Sequence, residues 1–186
     1  MRDLTFLRRL GTLLASVAAV SALLIPAAGA APSAAATGQT ALLECPGYET
    51  TRYNPGLTLT TRQVALSADG AIGPCVGLPL DHTNGTISFT GNGQLSCLTG
   101  NSAGTGRINW QNAQTSTTTF DYTAAAGLRP GGVSVLVLTG EVKSGDFQGS
   151  TIIIEIVLAP APAQALQCLT QSGLDTSSGA VNLQIL

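Results

Sequence analysis

The residue pattern richest in chemical content is Gly100-Asn101-Ser102-Ala103-Gly104, which has the Gly-x-Ser-x-Gly spacing of a serine-hydrolase nucleophile elbow. Such an elbow holds its serine on a sharp turn between a strand and a helix, and the acid and histidine partners follow it in the chain. Here residues 105–110 alternate as a strand does, and the single histidine, His82, precedes the motif. The pattern is therefore read as a Gly/Ser-rich hairpin loop. A second candidate is the pair Glu141 and Glu155, on neighbouring expected strands joined by a turn at residues 144–149. Glycoside hydrolysis uses two carboxyl groups about 5 to 10 Å apart. Both glutamates, however, alternate with apolar neighbours as outward-facing charges do, and Lys143 can pair with either. No residue is thus assigned a catalytic role, and a small hydrolase using Glu141 and Glu155 stands as the alternative to a non-enzymatic protein.

Asp81-His82-Thr83-Asn84-Gly85 gathers oxygen and nitrogen atoms in one short stretch but lacks the residue order of a calcium loop, and it reads as a solvated turn. Asn84-Gly85-Thr86 has the form of an N-glycosylation acceptor, which matters only in a eukaryotic secretory pathway. Trp110 alternates with Ile108 and is placed in the core rather than on a ligand platform. Cys45, Cys75, Cys97 and Cys168 contain no Cys-x-x-Cys pair and have one histidine between them, so a zinc site is not expected, nor any other metal or cofactor. In an exported protein four such cysteines make two disulfides. Three pairings are open. Cys45 with Cys75 and Cys97 with Cys168 is favoured, because the segment between the first two reads as strands that return on themselves. Each closed loop contributes at most roughly 4 kcal/mol through chain entropy.

The elements that must carry these residues are strands. Ile87 and Phe89, Ile108 and Trp110, Phe120 and Tyr122, and Val181, Leu183 and Ile185 all recur with period two. Residues 133–138 and 152–158 are nearly continuous apolar runs, as in strands buried on both faces or inside a closed structure. Residues 49–53 read as a strand ending in a Pro55-Gly56 turn, followed by strand at 57–61 and 63–67. Residues 164–169 read as a strand carrying Cys168, after an extended connection marked by Pro160 and Pro162. Further turn signals fall at Asn84-Gly85, Gly91-Asn92-Gly93, residues 100–104, Pro130-Gly131-Gly132, Ser144-Gly145-Asp146 and residues 173–179. The expected fold is all-β: one domain of eight or nine antiparallel strands, a barrel or a two-sheet sandwich, stapled by two disulfides.

The first thirty residues have the three parts of a secretory signal. Arg2, Arg8 and Arg9 are the positive start, residues 10–25 are uncharged and apolar, and Ala28-Gly29-Ala30 fits the small-x-small cleavage rule. Cleavage is expected after Ala30, with Ala36 as the alternative, followed by a lead-in over 31–40 and the β domain over 41–186. Gly11, Ser16, Ser21 and Pro26 interrupt the apolar run, so no transmembrane anchor is expected after cleavage. No cysteine near Ala30 offers a lipid anchor. The mature chain would keep five basic against nine acidic residues, a net charge of −4 that argues against a nucleic-acid partner. Its few aromatics also argue against a glycan cleft.

The stretch Cys45-Pro46-Gly47-Tyr48-Glu49-Thr50-Thr51-Arg52-Tyr53-Asn54-Pro55-Gly56-Leu57, with Gly73-Pro74-Cys75, Ser96-Cys97, Gly104-Thr105-Gly106-Arg107-Ile108-Asn109-Trp110 and Gly140-Glu141-Val142-Lys143-Ser144-Gly145-Asp146-Phe147-Gln148-Gly149, resembles a group of small secreted proteins of Streptomyces and related actinobacteria. The chain departs from that group at Ala113, where a turn glycine would follow the tryptophan. The resemblance implies an exported two-disulfide β protein and carries over no functional residue. The expected function is a secreted, non-enzymatic β domain that takes a small apolar ligand or a cell-surface component, free in the medium or loosely held at the cell wall. A structural protein of the cell envelope is the remaining alternative.

Overall fold

The computed structural model describes residues 42–111, 116–128, 134–158 and 166–186. The expected signal and lead-in, Ala113, the Pro130-Gly131-Gly132 turn and the connection through Pro160 and Pro162 lie outside those residues. Period-two alternation becomes strand throughout: β1 (Leu43–Leu57), β2 (Arg62–Ile72), β3 (Val76–Gly77), β4 (Gly85–Leu95), β5 (Gly100–Trp110), β6 (Thr117–Leu128), β7 (Ser134–Gly145), β8 (Thr151–Leu158) and β9 (Leu174–Ile185). Eight of them pair in the order β2-β4-β5-β6-β7-β8-β9-β1, and β1 returns to β2, so the sheet closes on itself as an antiparallel up-and-down barrel. The two-residue β3 lies outside it, against Leu43 and Glu44. Closure falls to β1, whose 15 residues pair with β9 along one edge and β2 along the other. Both disulfides have the favoured pairing, Cys45–Cys75 and Cys97–Cys168.

The inward set is the one the alternation marks. Ile87, Ile108, Trp110, Phe120, Ile152, Ile154, Ile156, Leu183 and Ile185 are each 2% exposed or less. In the apolar run of β8 the intervening residues face outward, and Val157 is 41% exposed, so the run lies inside a closed wall on one face only.

Several expected turns are strand instead. Gly91-Asn92-Gly93 lies within β4 and residues 100–104 lie within β5, paired to each other and to β6. A side chain at Gly91 would come within 2.4 Å of the Tyr122 hydroxyl, and one at Gly106 within 2.2 Å of the Phe120 ring. These glycines leave room for aromatic rings that lie across the inner wall. Pro55-Gly56 also belongs to β1, beyond a register shift between Arg52 and Leu57; a side chain at Gly56 would meet the Ser172 carbonyl at 2.6 Å. The chain reverses later, at residues 58–61, which are therefore not strand. Within residues 173–179 only Gly173, at φ +78°, precedes strand, since β9 begins at Leu174. Residues 166–169 form a helical turn closed by Leu169 N–H to the Leu166 carbonyl, so Cys168 sits on a turn, not on a strand.

Candidate functional site

The two ends of the barrel differ. At one end Trp110 is fully buried, and the His82 ring meets it edge-on with centroids 5.0 Å apart. Phe147, at φ +66° in the turn after β7, completes a three-ring cluster, its ring centroid 5.0 Å from that of His82 and 5.8 Å from that of Trp110. The Trp110 indole N–H donates to Thr118 Oγ1 at 2.9 Å, and that hydroxyl donates to the Asp146 carbonyl at 3.0 Å. His82 Nδ1 lies 2.8 Å from Asp81 and Nε2 lies 2.7 Å from Asp146. The expected solvated turn is thus corrected at His82, which is 6% exposed and plugs this end, because its ring carries enough apolar face to fill the gap beneath Trp110. Burial works to raise the pKa of Asp146, but hydrogen bonds from Ser116 and His82 outweigh it and hold the carboxyl below its ordinary 3.8.

The other end is hollow. A cavity of about 260 Å³ lies inside it, bounded by Leu66, Phe89, Leu95, Leu136, Leu138 and Leu158. The Cys97–Cys168 bridge lines it and joins the β4–β5 turn to the turn before β9. Leu59 and Leu98, each about half exposed, line its outer part. Its polar lining is mostly hydroxyl, from Thr51, Tyr53, Ser96, Ser102, Tyr122 and Ser177, and among the described residues no charged side chain lines it.

One stretch of wall concentrates these hydroxyls. Thr51 and Ser177 are cross-strand partners of β1 and β9, and the Tyr53 hydroxyl lies 2.8 Å from Ser177 Oγ. Thr51 donates to Glu49 Oε2 at 2.5 Å. Glu49 faces inward between Gly70 of β2 and Gly179 of β9, fully buried, and its Oε1 has no hydrogen-bond partner. Burial raises its pKa from 4.5 to about 7, with the Thr51 hydrogen bond opposing. The Tyr53 phenol is raised too, by burial first and by the Glu49 charge, against hydrogen bonds with Ser177 and Thr51. Burial alone pushes Tyr122 to about 12, and its hydroxyl has no partner. Arg62, inward at the start of β2, donates from Nη2 to the Gly56 carbonyl.

The residues singled out by motif do not converge. Ser102 is buried near the start of β5, and His82 packs on Trp110 at the other end of that strand, about 25 Å away along it by strand rise. Glu141 sits opposite Thr151, whereas Glu155 sits opposite Val137, four ladder steps away. That offset separates the two carboxylates by roughly 14 Å on the outer face. Glu141 is 60% exposed and accepts from Lys143 Nζ at 2.8 Å. Asn84 and Thr86 flank the entry to β4, and both are exposed. The residues missed were Glu49, Thr51, Tyr53 and Ser177. A signal for the first three was present, since they continue the parity of Leu43 and Cys45 along one strand.

The arrangement defines a closed eight-stranded barrel, plugged at one end and hollow at the other. No family model, no curated protein and no solved structure matches the chain. Among the described residues no helix is long and apolar enough to cross a membrane, and no group of three or more His, Cys, Asp or Glu is placed to hold a metal.

Proposed function

We propose that this protein is a secreted, non-enzymatic barrel that binds a small, mainly apolar ligand. The observation carrying the proposal is the cavity of about 260 Å³, walled by leucines and Phe89 and furnished with a few hydroxyls. Binding sites for small molecules are concave and mostly apolar, with a small number of placed polar groups. The volume falls just below the usual lower limit of about 300 Å³ for drug-sized ligands, so a smaller ligand is the fit. Export is supported by the signal-like first thirty residues and by two disulfides, which persist in oxidising compartments. The resemblance to secreted actinobacterial proteins points the same way.

The test is native mass spectrometry of the mature protein purified from culture medium, alongside Ala126→Phe. Ala126 lines the cavity, and a phenyl ring there would occupy it. A co-purifying small molecule that is lost in the variant is the expected result. Absence of any bound molecule, together with no uptake of small hydrocarbons by the wild type, refutes the proposal.

A further inference from the structure

The hydrogen-bond inventory of the Thr51, Tyr53 and Ser177 wall narrows the ligand. The three hydroxyls bring three protons and several lone pairs. Thr51 gives its proton to Glu49, so toward the cavity it presents lone pairs. When Tyr53 donates to Ser177 the Ser177 proton is left for the cavity, and when Ser177 donates to Tyr53 the Tyr53 proton goes to Thr51 and the wall offers lone pairs alone. All three residues are at least nine-tenths buried, so whatever fills the cavity must answer these groups or leave them unmet. A hydrocarbon leaves them unmet. An ionised group would lose its water without meeting a charged partner on the cavity lining. A hydroxyl both donates and accepts, and so answers the wall in either arrangement. For size, a cavity of about 150 Å³ holds benzene, so about 260 Å³ holds about ten non-hydrogen atoms.

We infer, resting on the ligand-binding reading above, that the cavity takes a small uncharged alcohol or phenol, its hydroxyl docked on Thr51, Tyr53 and Ser177 and its apolar body against Leu66, Phe89 and Leu138. The experiment is calorimetric titration of the oxidised mature protein with four probes of matched shape: butylbenzene, phenylpropanol, phenylpropanoate and phenylpropylamine. Tyr53→Phe and Ser177→Ala are titrated in parallel, and the readout is the ratio of phenylpropanol to butylbenzene affinity. That ratio cancels the greater hydrophobic drive of the hydrocarbon. It is expected to fall about three- to tenfold in each variant, the effect of one buried hydrogen bond. The two charged probes are expected to bind weakest. Equal loss of both neutral probes in the variants, or an unchanged ratio, overturns the inference while leaving the cavity a binding site. Tighter binding of the amine than of the alcohol also overturns it, because the recognised end would then be a cation facing Glu49. If none of the four probes binds, the ligand-binding reading fails and takes this inference with it. Ser177→Ala deletes one atom and keeps the test available should Tyr53→Phe fail to fold.

Discussion

Replacing Glu49 by Gln should change how the stability of the barrel depends on pH. In the folded protein the Glu49 carboxyl has a pKa of about 7, because ionising it there means placing a charge in a dry wall between two glycine-backed strands. In the unfolded chain it returns to about 4.5. Between these values the unfolded state has released the proton and the folded state still holds it. Unfolding therefore becomes more favourable as pH rises, since stability falls wherever the unfolded state binds fewer protons. The stabilisation is complete below pH 4.5 and is lost as pH rises through about 7. At about 1.36 kcal/mol for each pH unit, the loss is about 3 kcal/mol, a large share of a typical net stability of 5–15 kcal/mol. Gln keeps the shape without the titration, so the curve for the variant lacks this component, whatever its absolute stability. The assay is urea unfolding from pH 4 to pH 8, followed by the fluorescence of Trp110, the single tryptophan, which is fully buried. The wild-type minus variant difference is read at each pH, so groups common to both cancel. A difference that stays flat between pH 4.5 and pH 7.5 would refute the assignment of Glu49 as a buried, proton-holding carboxyl.

Asp146 acts in the opposite direction and in a lower window. Its folded pKa is depressed, so its contribution is present above about 3.8 and vanishes as pH falls through the folded value; Asp146→Asn should flatten the acid limb of the unfolding curve below about pH 4. Gly106→Ala should destabilise by about 1 to 3 kcal/mol, because its Cβ would overlap the Phe120 ring, and urea midpoints would show it. Gly127→Ala, with nothing within 4 Å of the new atom, should be neutral or stabilising by up to about 1 kcal/mol; equal losses in both variants would contradict the packing argument. Replacing either disulfide by alanines should cost up to about 4 kcal/mol, from loops spanning 30 and 71 residues. Only the loss of Cys97–Cys168, whose cysteines line the cavity, should also weaken uptake of small hydrocarbons, which calorimetry on the two variants would compare.

How far the sequence could be read depended on what each residue type signals. Alternation in β4, β5, β6 and β9 marked the inward residues correctly, because a closed barrel has one wet face and one dry face and enforces period two. The cysteine pairing was legible because β1 and β2 are adjacent antiparallel strands, which brings Cys75, just beyond β2, back beside Cys45. The misread stretches were glycine-rich. Residues 91–93 and 100–104 carry the letters of turns, yet at Gly91 glycine answers a tertiary demand, the Tyr122 hydroxyl lying over it, and at Gly93 and Gly104 the close backbone of the neighbouring strand, and no local pattern announces either. His82 was misjudged for a related reason. Thr83, Asn84 and Gly85 around it signal a turn, and only the folded barrel brings Trp110 and Phe147 together as a pair of rings against which His82 can pack. The hydroxyl wall was within reach, since Glu49, Thr51 and Tyr53 share parity with Cys45, but Ser177 joins them through a ladder that spans most of the chain.

The hollow end follows from side-chain sizes along three strands. From the plugged end toward the cavity, inward positions run Trp110, Ile108, Gly106, Gly104, Ser102 on β5 and Phe120, Tyr122, Ala124, Ala126 on β6. On β9 they run Ile185, Leu183, Val181, Gly179, Ser177. An eight-stranded barrel is just wide enough for its interior to be filled by side chains, so a sequence shaped by stability alone would place leucine or isoleucine at the far end of these series. At about 24 cal/mol for each cubic ångström, leaving about 260 Å³ unfilled forgoes about 6 kcal/mol. That is comparable to the entire net stability of many domains, and it comes on top of burying Glu49 with an oxygen unpartnered. Three strands tapering in the same direction, beside a hydroxyl wall on β1 and β9, make a single packing defect a poor account of the cavity. A barrel whose plugged end is packed with Trp110, Phe120 and Phe147 had the means to fill the other end as well. The sacrifice is intelligible if something enters that space, and this is the physical ground on which the ligand-binding reading rests.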